Sequence, residues 1–201
     1  PDLRMAPKTD TREKILDEAE RLLGSRGYSG FSYHDISEPL GIRNAAVHYH
    51  FPTKADLGVA VIERYRSLLR CAEEEFGAGR ATPRDLLEGY IQFFARDDCE
   101  TQTLCPMGVL TSDYFNLPEA MLETGRRLEK EVSAWLVGIL ESGRDSGDFR
   151  FGGPAEEKAL LVMATLQGAR QLARMIGHDA MRSIVDQLRD ELYADTETRA
   201  A

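Results

Sequence analysis

The stretch GIRNAAVHYHFPTKADL, residues 41–57, gathers an arginine, an asparagine, two histidines, a tyrosine and a lysine in a chain of formal net charge −9. Arg43 and Asn44 carry donors that match guanine and adenine edges, while Ala45 and Ala46 permit close backbone approach and methyl contact with thymine. His48, Tyr49 and His50 offer ring-borne hydrogen bonds to bases or phosphate oxygens. Thr53 and Lys54 begin the next helix, where the ammonium adds to the positive helix end. Together these residues could grip double-stranded DNA. His50 has a second reading as a hydrogen-bonded core residue, and Tyr49 as a packing residue. Histidines two apart lie about 200° apart around a helix, so His48 and His50 cannot chelate one metal ion from one face. No metal or other cofactor is expected.

Such a segment needs a frame. Val47 and Phe51, four apart, would anchor a helix from about Arg43 to Phe51 in a small core and leave its outer face free. Before it, Ser32 and Asp35 form a capping signature, Phe31 can staple onto Ile36, and Pro39 with Gly41 ends a very short helix. Asp10 and Glu13 cap a first helix with an apolar stripe of Ile15, Leu16, Ala19, Leu22 and Leu23. Pro52 stops the third helix, and Thr53 with Asp56 caps a long fourth whose expected inner face is Leu57, Val61, Tyr65, Leu68 and Ala72. Two short helices joined by a glycine-containing turn form a helix-turn-helix, whose second helix enters the major groove.

Apolar residues keep helical spacing downstream as well, with no sustained alternation, so the chain is expected to be all-α with about nine helices. Further helix starts fall at Pro83, Pro106 and Pro118, and a turn region at residues 143–153 precedes the last two helices. The expected organisation is a DNA-binding domain over 1–53, a larger helical domain over 54–195 and a tail over 196–201. Between Glu156 and Ile176 apolar residues lie nearly all round the helix, and the final helix carries a stripe of Met181, Ile184, Val185, Leu188 and Leu192. Such surfaces need covering from two sides. A second copy of the chain could do this through Leu160, Leu161, Leu172, Met181, Ile184, Val185 and Leu188; the alternative is an intramolecular core.

Charge is unevenly spread. Residues 1–70 hold 11 Lys and Arg against 10 Asp and Glu, and residues 71–201 hold 14 against 24, so a polyanion is expected to meet only the first third. No apolar run approaches the roughly 18 residues needed to cross a bilayer. The N-terminal PDLRMAPKTDTREK lacks a signal-peptide core, and three cysteines are too sparse for a disulfide framework. A cytoplasmic location without membrane contact is the expectation. Phosphate-binding glycine loops, G-x-S-x-G and H-E-x-x-H are absent, which argues against an enzyme. A helical binding module that ignores DNA is the rival of another class.

The segments TREKILDEAERLLGSRGYSGFSYHDIS and LGIRNAAVHYHFPTKADLGVAVI resemble the DNA-binding domain of the tetracycline-repressor (TetR) family. Gly27-Tyr28, Ile36, Gly41, Tyr49, Phe51, Lys54 and Leu57 stand where that family has them. Arg43 occupies a site where the family often has a capping serine, and Pro39 shortens the second helix. LCPMGVLTSDYFNLPE and WLVGILESGRDSGDFR are similar to a subgroup with varied effectors. The resemblance implies a homodimeric, two-domain regulator that binds an operator and is released by a small-molecule effector, with its last two helices forming the dimer interface.

Candidate effector contacts in the larger domain are Tyr90, Phe94, Met107, Leu110, Tyr114, Trp135, Met163 and Gln167, an aromatic and methionine-rich set with a few polar handles. Cys105, just before Pro106 at a helix start, is a candidate redox or electrophile sensor, with an inert thiol as the alternative.

Overall fold

The computed structural model describes residues 11–95 and 106–193, excluding the side chains of 106 and 107. Among these residues the regular elements are helices, α1 (Thr11–Arg26), α2 (Tyr33–Ser37), α3 (Asn44–His50), α4 (Lys54–Gly77), α5 (Pro83–Ala95), α6 (Pro106–Ser112), α7 (Glu119–Asp145), α8 (Ala155–Ile176) and α9 (His178–Leu192), with one isolated bridge between Phe149 and Tyr193. Asp10, proposed as the first cap, lies outside the described residues, as do Cys99 and Cys105. No described helix is long and apolar enough to cross a membrane.

Local chemistry explains the short elements. Ser32 and Asp35 form a reciprocal capping box at α2, and Thr53 and Asp56 another at α4, each satisfying backbone donors that a helix start leaves open. Pro39 cannot donate to the carbonyl of Asp35, so the regular α2 ladder stops at Ser37. The chain then closes with Ile42 N–H donating to Ser37 O at 3.0 Å and Gly41 N–H to Glu38 O at 3.1 Å. Gly41 at φ +63° supplies the left-handed residue this Schellman closure requires. The turn sets the angle between α2 and α3.

One core joins α1, α2, α3 and the start of α4 through Ile15, Leu22, Ile36, Val47, Phe51 and Leu57, and Val109 of α6 joins it. A larger core is built from α5, α7, α8 and α9 around Leu87, Ile91, Leu136, Leu140, Val162 and Leu166. A third cluster, with Ile62, Leu110, Leu117 and Met121, lies where α4 and α6 meet α7. Helix α4 therefore contributes to both ends of the molecule. Its buried residues are Leu57, Gly58, Val61, Ile62 and Leu69 rather than the whole expected stripe, and Leu68 is exposed.

Ion pairs fix that helix on two sides. Arg64 reaches Glu13 and Asp17 at 2.8 Å and Glu20 at 3.0 Å, all on α1. Arg66 donates through Nε to Glu131 on α7 at 2.7 Å. The last helix is sealed onto the body by Met181, Val185, Leu188 and Leu192, all buried within the subunit. Met181, Val185 and Leu188 were expected to face a second copy. Their amphipathic stripe is instead consumed by the subunit's own core, and Ile184 is partly buried against it.

Candidate functional site

Helix α3 is seated in the core by its inner edge. Val47 is fully buried and Phe51 nearly so, leaving Arg43, Asn44, Ala45, His48 and Tyr49 exposed and Ala46 and His50 partly so. Tyr49 is 83% exposed. Arg43 sits at the N-cap in an extended conformation and makes no side-chain capping bond, and its guanidinium stands exposed at the leading end. Tyr49 meets the edge of His50 with ring centroids 5.2 Å apart. The outward face is thus small at Ala45 and Ala46 and flanked by donor-bearing groups.

Other candidates have prior commitments. The Ser37 hydroxyl donates to Asn44 Oδ1, which ties the first helix of the motif to the second and leaves the Asn44 amide NH₂ as its outward donor. His48 packs edge-on against Tyr33 at 4.5 Å, and its Nδ1 lies 3.4 Å from the Pro52 carbonyl. Tyr33 in turn donates to Phe51 O at 2.8 Å, and burial pushes its phenol pKa up to about 12. Thr53 exchanges hydrogen bonds with Asp56 as the α4 cap.

Lys54 departs most from the expected role. Its ammonium donates to the carbonyls of Tyr28 and Phe31 and lies 4.0 Å from the Phe31 ring centroid and 4.7 Å from that of Tyr28. Burial lowers its pKa from the ordinary lysine value. In this arrangement Lys54 is a bracket between α4 and the loop after α1, rather than an outward phosphate ligand. A backbone carbonyl pair satisfies an ammonium in a partly desolvated position better than distant solvent would. Sequence spacing could not reveal it, because both acceptors come from a loop more than twenty residues upstream. Arg12, which the sequence reading did not single out, stands over the Phe51 ring at 5.2 Å, beside the end of α3.

A cavity of about 320 Å³ opens between α4, α5, α7 and α8. Tyr90, Phe94, Trp135, Met163 and Gln167 line it, as expected from sequence. Leu110 does not, being buried where α6 packs on α7, and Tyr114 is exposed at the end of α6, accepting a bond from Arg126 at 3.1 Å. Met107 falls outside the described side chains. Tyr65, Phe93, Asp85 and Glu129 were missed and also line the space; only the packing of three separate helices brings them together. Tyr65 has a second contact, since its hydroxyl donates to Glu20 on α1. One side chain thus touches both the cavity and α1.

With this geometry in place, likeness to known proteins is informative. Residues 15–61 match the family model described as bacterial regulatory proteins, tetR family. The chain is 27% identical over 169 residues to the HTH-type transcriptional repressor NemR of Escherichia coli, covering 83% of this chain and 85% of that protein. The crystal structure of reduced NemR superposes with a TM-score of 0.77 at 22% identity, over 93% of this chain and 99% of that one, a likeness of fold. A TetR-family transcriptional regulator from Agrobacterium tumefaciens superposes with a TM-score of 0.81 at 32% identity, over 91% of this chain and 97% of that one. Exposed recognition helix, helical body and near-complete coverage agree: the chain belongs to the TetR family of helix-turn-helix transcriptional regulators.

Proposed function

We propose that the protein is a homodimeric repressor that holds a palindromic DNA operator through α3 and releases it when a small molecule occupies the cavity beside α4. The observation that carries this reading is the exposed outer face of α3, which no other described part of the subunit covers. Arg43, Asn44, Ala45, Ala46 and Tyr49 then meet the major groove, with His48 and His50 at its margins. Base edges near Arg43 and Asn44 supply preference, while Tyr49 supplies a phosphate bond common to all sequences. Residues 1–53 with the first turns of α4 serve as the DNA-binding unit, and the remainder of 54–195 as the effector and dimer unit. The relative NemR is itself a repressor.

Dimerisation is supported by the outer face of α8. Leu161, Ala164, Gly168, Leu172 and Met175 recur at helical spacing along it and are exposed, and a side chain added at Gly168 would meet nothing within the subunit. Leu160 and Ile176 extend the patch. A ridge of leucine and methionine with a flat centre suits close antiparallel packing of two such helices. Met181, Val185 and Leu188 act behind it by seating α9. In the DNA-bound dimer the two α3 helices lie roughly 34–36 Å apart, one turn of duplex.

Effector release works by population shift. A ligand that prefers a different placement of Tyr65 strains its bond to Glu20 and, through α4, the Arg64 contacts to α1. A coupling of about 1–3 kcal/mol weakens DNA binding about 5- to 150-fold. Selecting bound fragments from genomic DNA and footprinting them tests the whole reading: a two-fold symmetric site is expected, and failure to retain any fragment at low salt contradicts it.

A further inference from the structure

The cavity described above is acidic and aromatic. Among its described lining residues are two carboxylates, Asp85 and Glu129, and no lysine, arginine or histidine. Asp85 is already engaged as the cap of α5, accepting from the Thr82 backbone at 2.9 Å and its hydroxyl at 2.7 Å. Glu129 is different. It is partly buried, stands on the same face of α7 as Val132 and Trp135, and makes no hydrogen bond or ion pair among the described residues. Burial raises its pKa above the ordinary carboxylate range, as a carboxylate short of solvent and partners should behave.

Five aromatic rings share the lining in a chain of edge-to-face contacts. Tyr65 and Phe93 are 5.8 Å apart between centroids, Phe93 and Phe94 5.4 Å, Phe94 and Tyr90 5.1 Å, and Tyr90 and Trp135 5.7 Å. Ring faces carry negative quadrupole potential and attract cations. Arg170 donates to the Phe94 carbonyl at 2.7 Å and is not among the described lining residues. A neutral ligand would leave the Glu129 charge uncompensated, and an anion would add like-charge repulsion. A cation with an apolar body satisfies both the carboxylate and the rings.

We propose that the cavity selects a hydrophobic cation, an organic ammonium with an aromatic or alkyl body, with Glu129 as its counter-charge and the rings of Tyr65, Tyr90, Phe93 and Trp135 as its cage. A second polar handle is available: the Trp135 indole Nε1 is buried without an acceptor among the described residues, so a ligand that also carries a hydroxyl, ether or carbonyl oxygen gains a further fixed contact. The proposal rests on the reading of this cavity as the effector site and specifies the chemistry that site takes.

The test uses the full chain and three probes with one skeleton and different charge: phenylbutyl-trimethylammonium, phenylbutanol and phenylbutanoate. Trp135 is the one tryptophan in the sequence, so its fluorescence reports binding at the cavity wall. The ammonium is expected to bind about tenfold more tightly than the alcohol, with the carboxylate weakest, and Glu129→Gln should erase the preference for the ammonium. Gly89→Leu fills the cavity from α5, where an added side chain meets no neighbour, and should abolish the response to all three. Equal affinity for the three probes, an undiminished preference in Glu129→Gln, or undiminished ammonium binding in Gly89→Leu overturns the proposal. Absence of binding by any probe overturns it too. Release of selected operator DNA, measured separately, distinguishes failure of the charge rule from failure of the effector reading: if the alcohol or carboxylate releases DNA as well as the ammonium, the site stands and its cationic preference falls.

Discussion

Asp113, at the end of α6, accepts the backbone N–H of Tyr28 at 2.6 Å. The carbonyl of the same Tyr28 accepts the Lys54 ammonium, so the loop after α1 is gripped from the larger body on one side and from α4 on the other. The grip needs a residue without a side chain beside it. Gly27 has φ +75°, and a Cβ there would lie 2.6 Å from Asp113 Oδ2. Gly27→Ala is expected to destabilise the protein by about 1–3 kcal/mol through backbone strain and loss of this contact. Thermal unfolding measures it; a variant as stable as the parent contradicts the arrangement.

Lys54→Ala separates two roles by salt dependence. A lysine that neutralises a phosphate lowers the slope of log affinity against log salt by about 1 when removed. As a bracket between α4 and the Tyr28–Phe31 loop, its removal should instead cost about 1–3 kcal/mol of stability, from two carbonyls left unpaired, and leave the slope unchanged. A reduced slope at unchanged stability would restore the phosphate role.

Tyr49→Ala should do the reverse. Its ring is almost wholly outside the subunit, so the melting temperature should hold while affinity for every retained DNA fragment falls about ten- to a hundredfold, the value of a hydrogen bond to a charged group. Changes at Arg43 should reorder preference among fragments. A uniform loss from both substitutions would count against the division of labour.

Leu172→Glu places a charge at the middle of the exposed α8 ridge without touching the core of the subunit. Sedimentation should shift from dimer to monomer, with helical content retained and operator binding weakened in parallel. A variant that remains dimeric would exclude this ridge as the interface.

Glu129 makes stability depend on pH in a calculable direction. Its native pKa is raised by burial, so the native state holds the proton that the unfolded chain releases first. Stability therefore falls as pH rises from the ordinary carboxylate range through the raised native value. Glu129→Gln should be more stable than the parent above that window and equal to it below. Asp85, the other carboxyl at the cavity, is shifted downward by its bonds to Thr82 and titrates outside the window. A stability gain independent of pH would show that burial of the charge is not its source.

Much of this molecule is written in short-range chemistry. The capping boxes at Ser32–Asp35 and Thr53–Asp56, the stop at Pro39, the left-handed Gly41 and the helix starts near Pro83, Pro106 and Pro118 all follow from groups a few residues apart, and each has its element in the fold. The inward pair Val47 and Phe51 followed from helical spacing, which is why the exposed face of α3 could be read in advance. Periodicity, however, says that a face must be covered and not by what. The stripe of Met181, Val185 and Leu188 is covered by its own subunit, while the neighbouring face of α8 is left bare.

Long-range placement governs everything else. Whether Lys54 points to solvent or to the carbonyls of Tyr28 and Phe31 depends on a loop more than twenty residues away in the chain, and Leu110 and Tyr114 leave the cavity because α6 lies against a different part of α7 than residue type suggested. Glu129 drew no notice among 34 acidic residues; it became distinctive once three helices had closed aromatic rings around it. Hydrogen-bonding propensity and periodicity act between neighbours in the chain, whereas desolvation of a charge is produced by neighbours in space, and those exist only after the helices have packed.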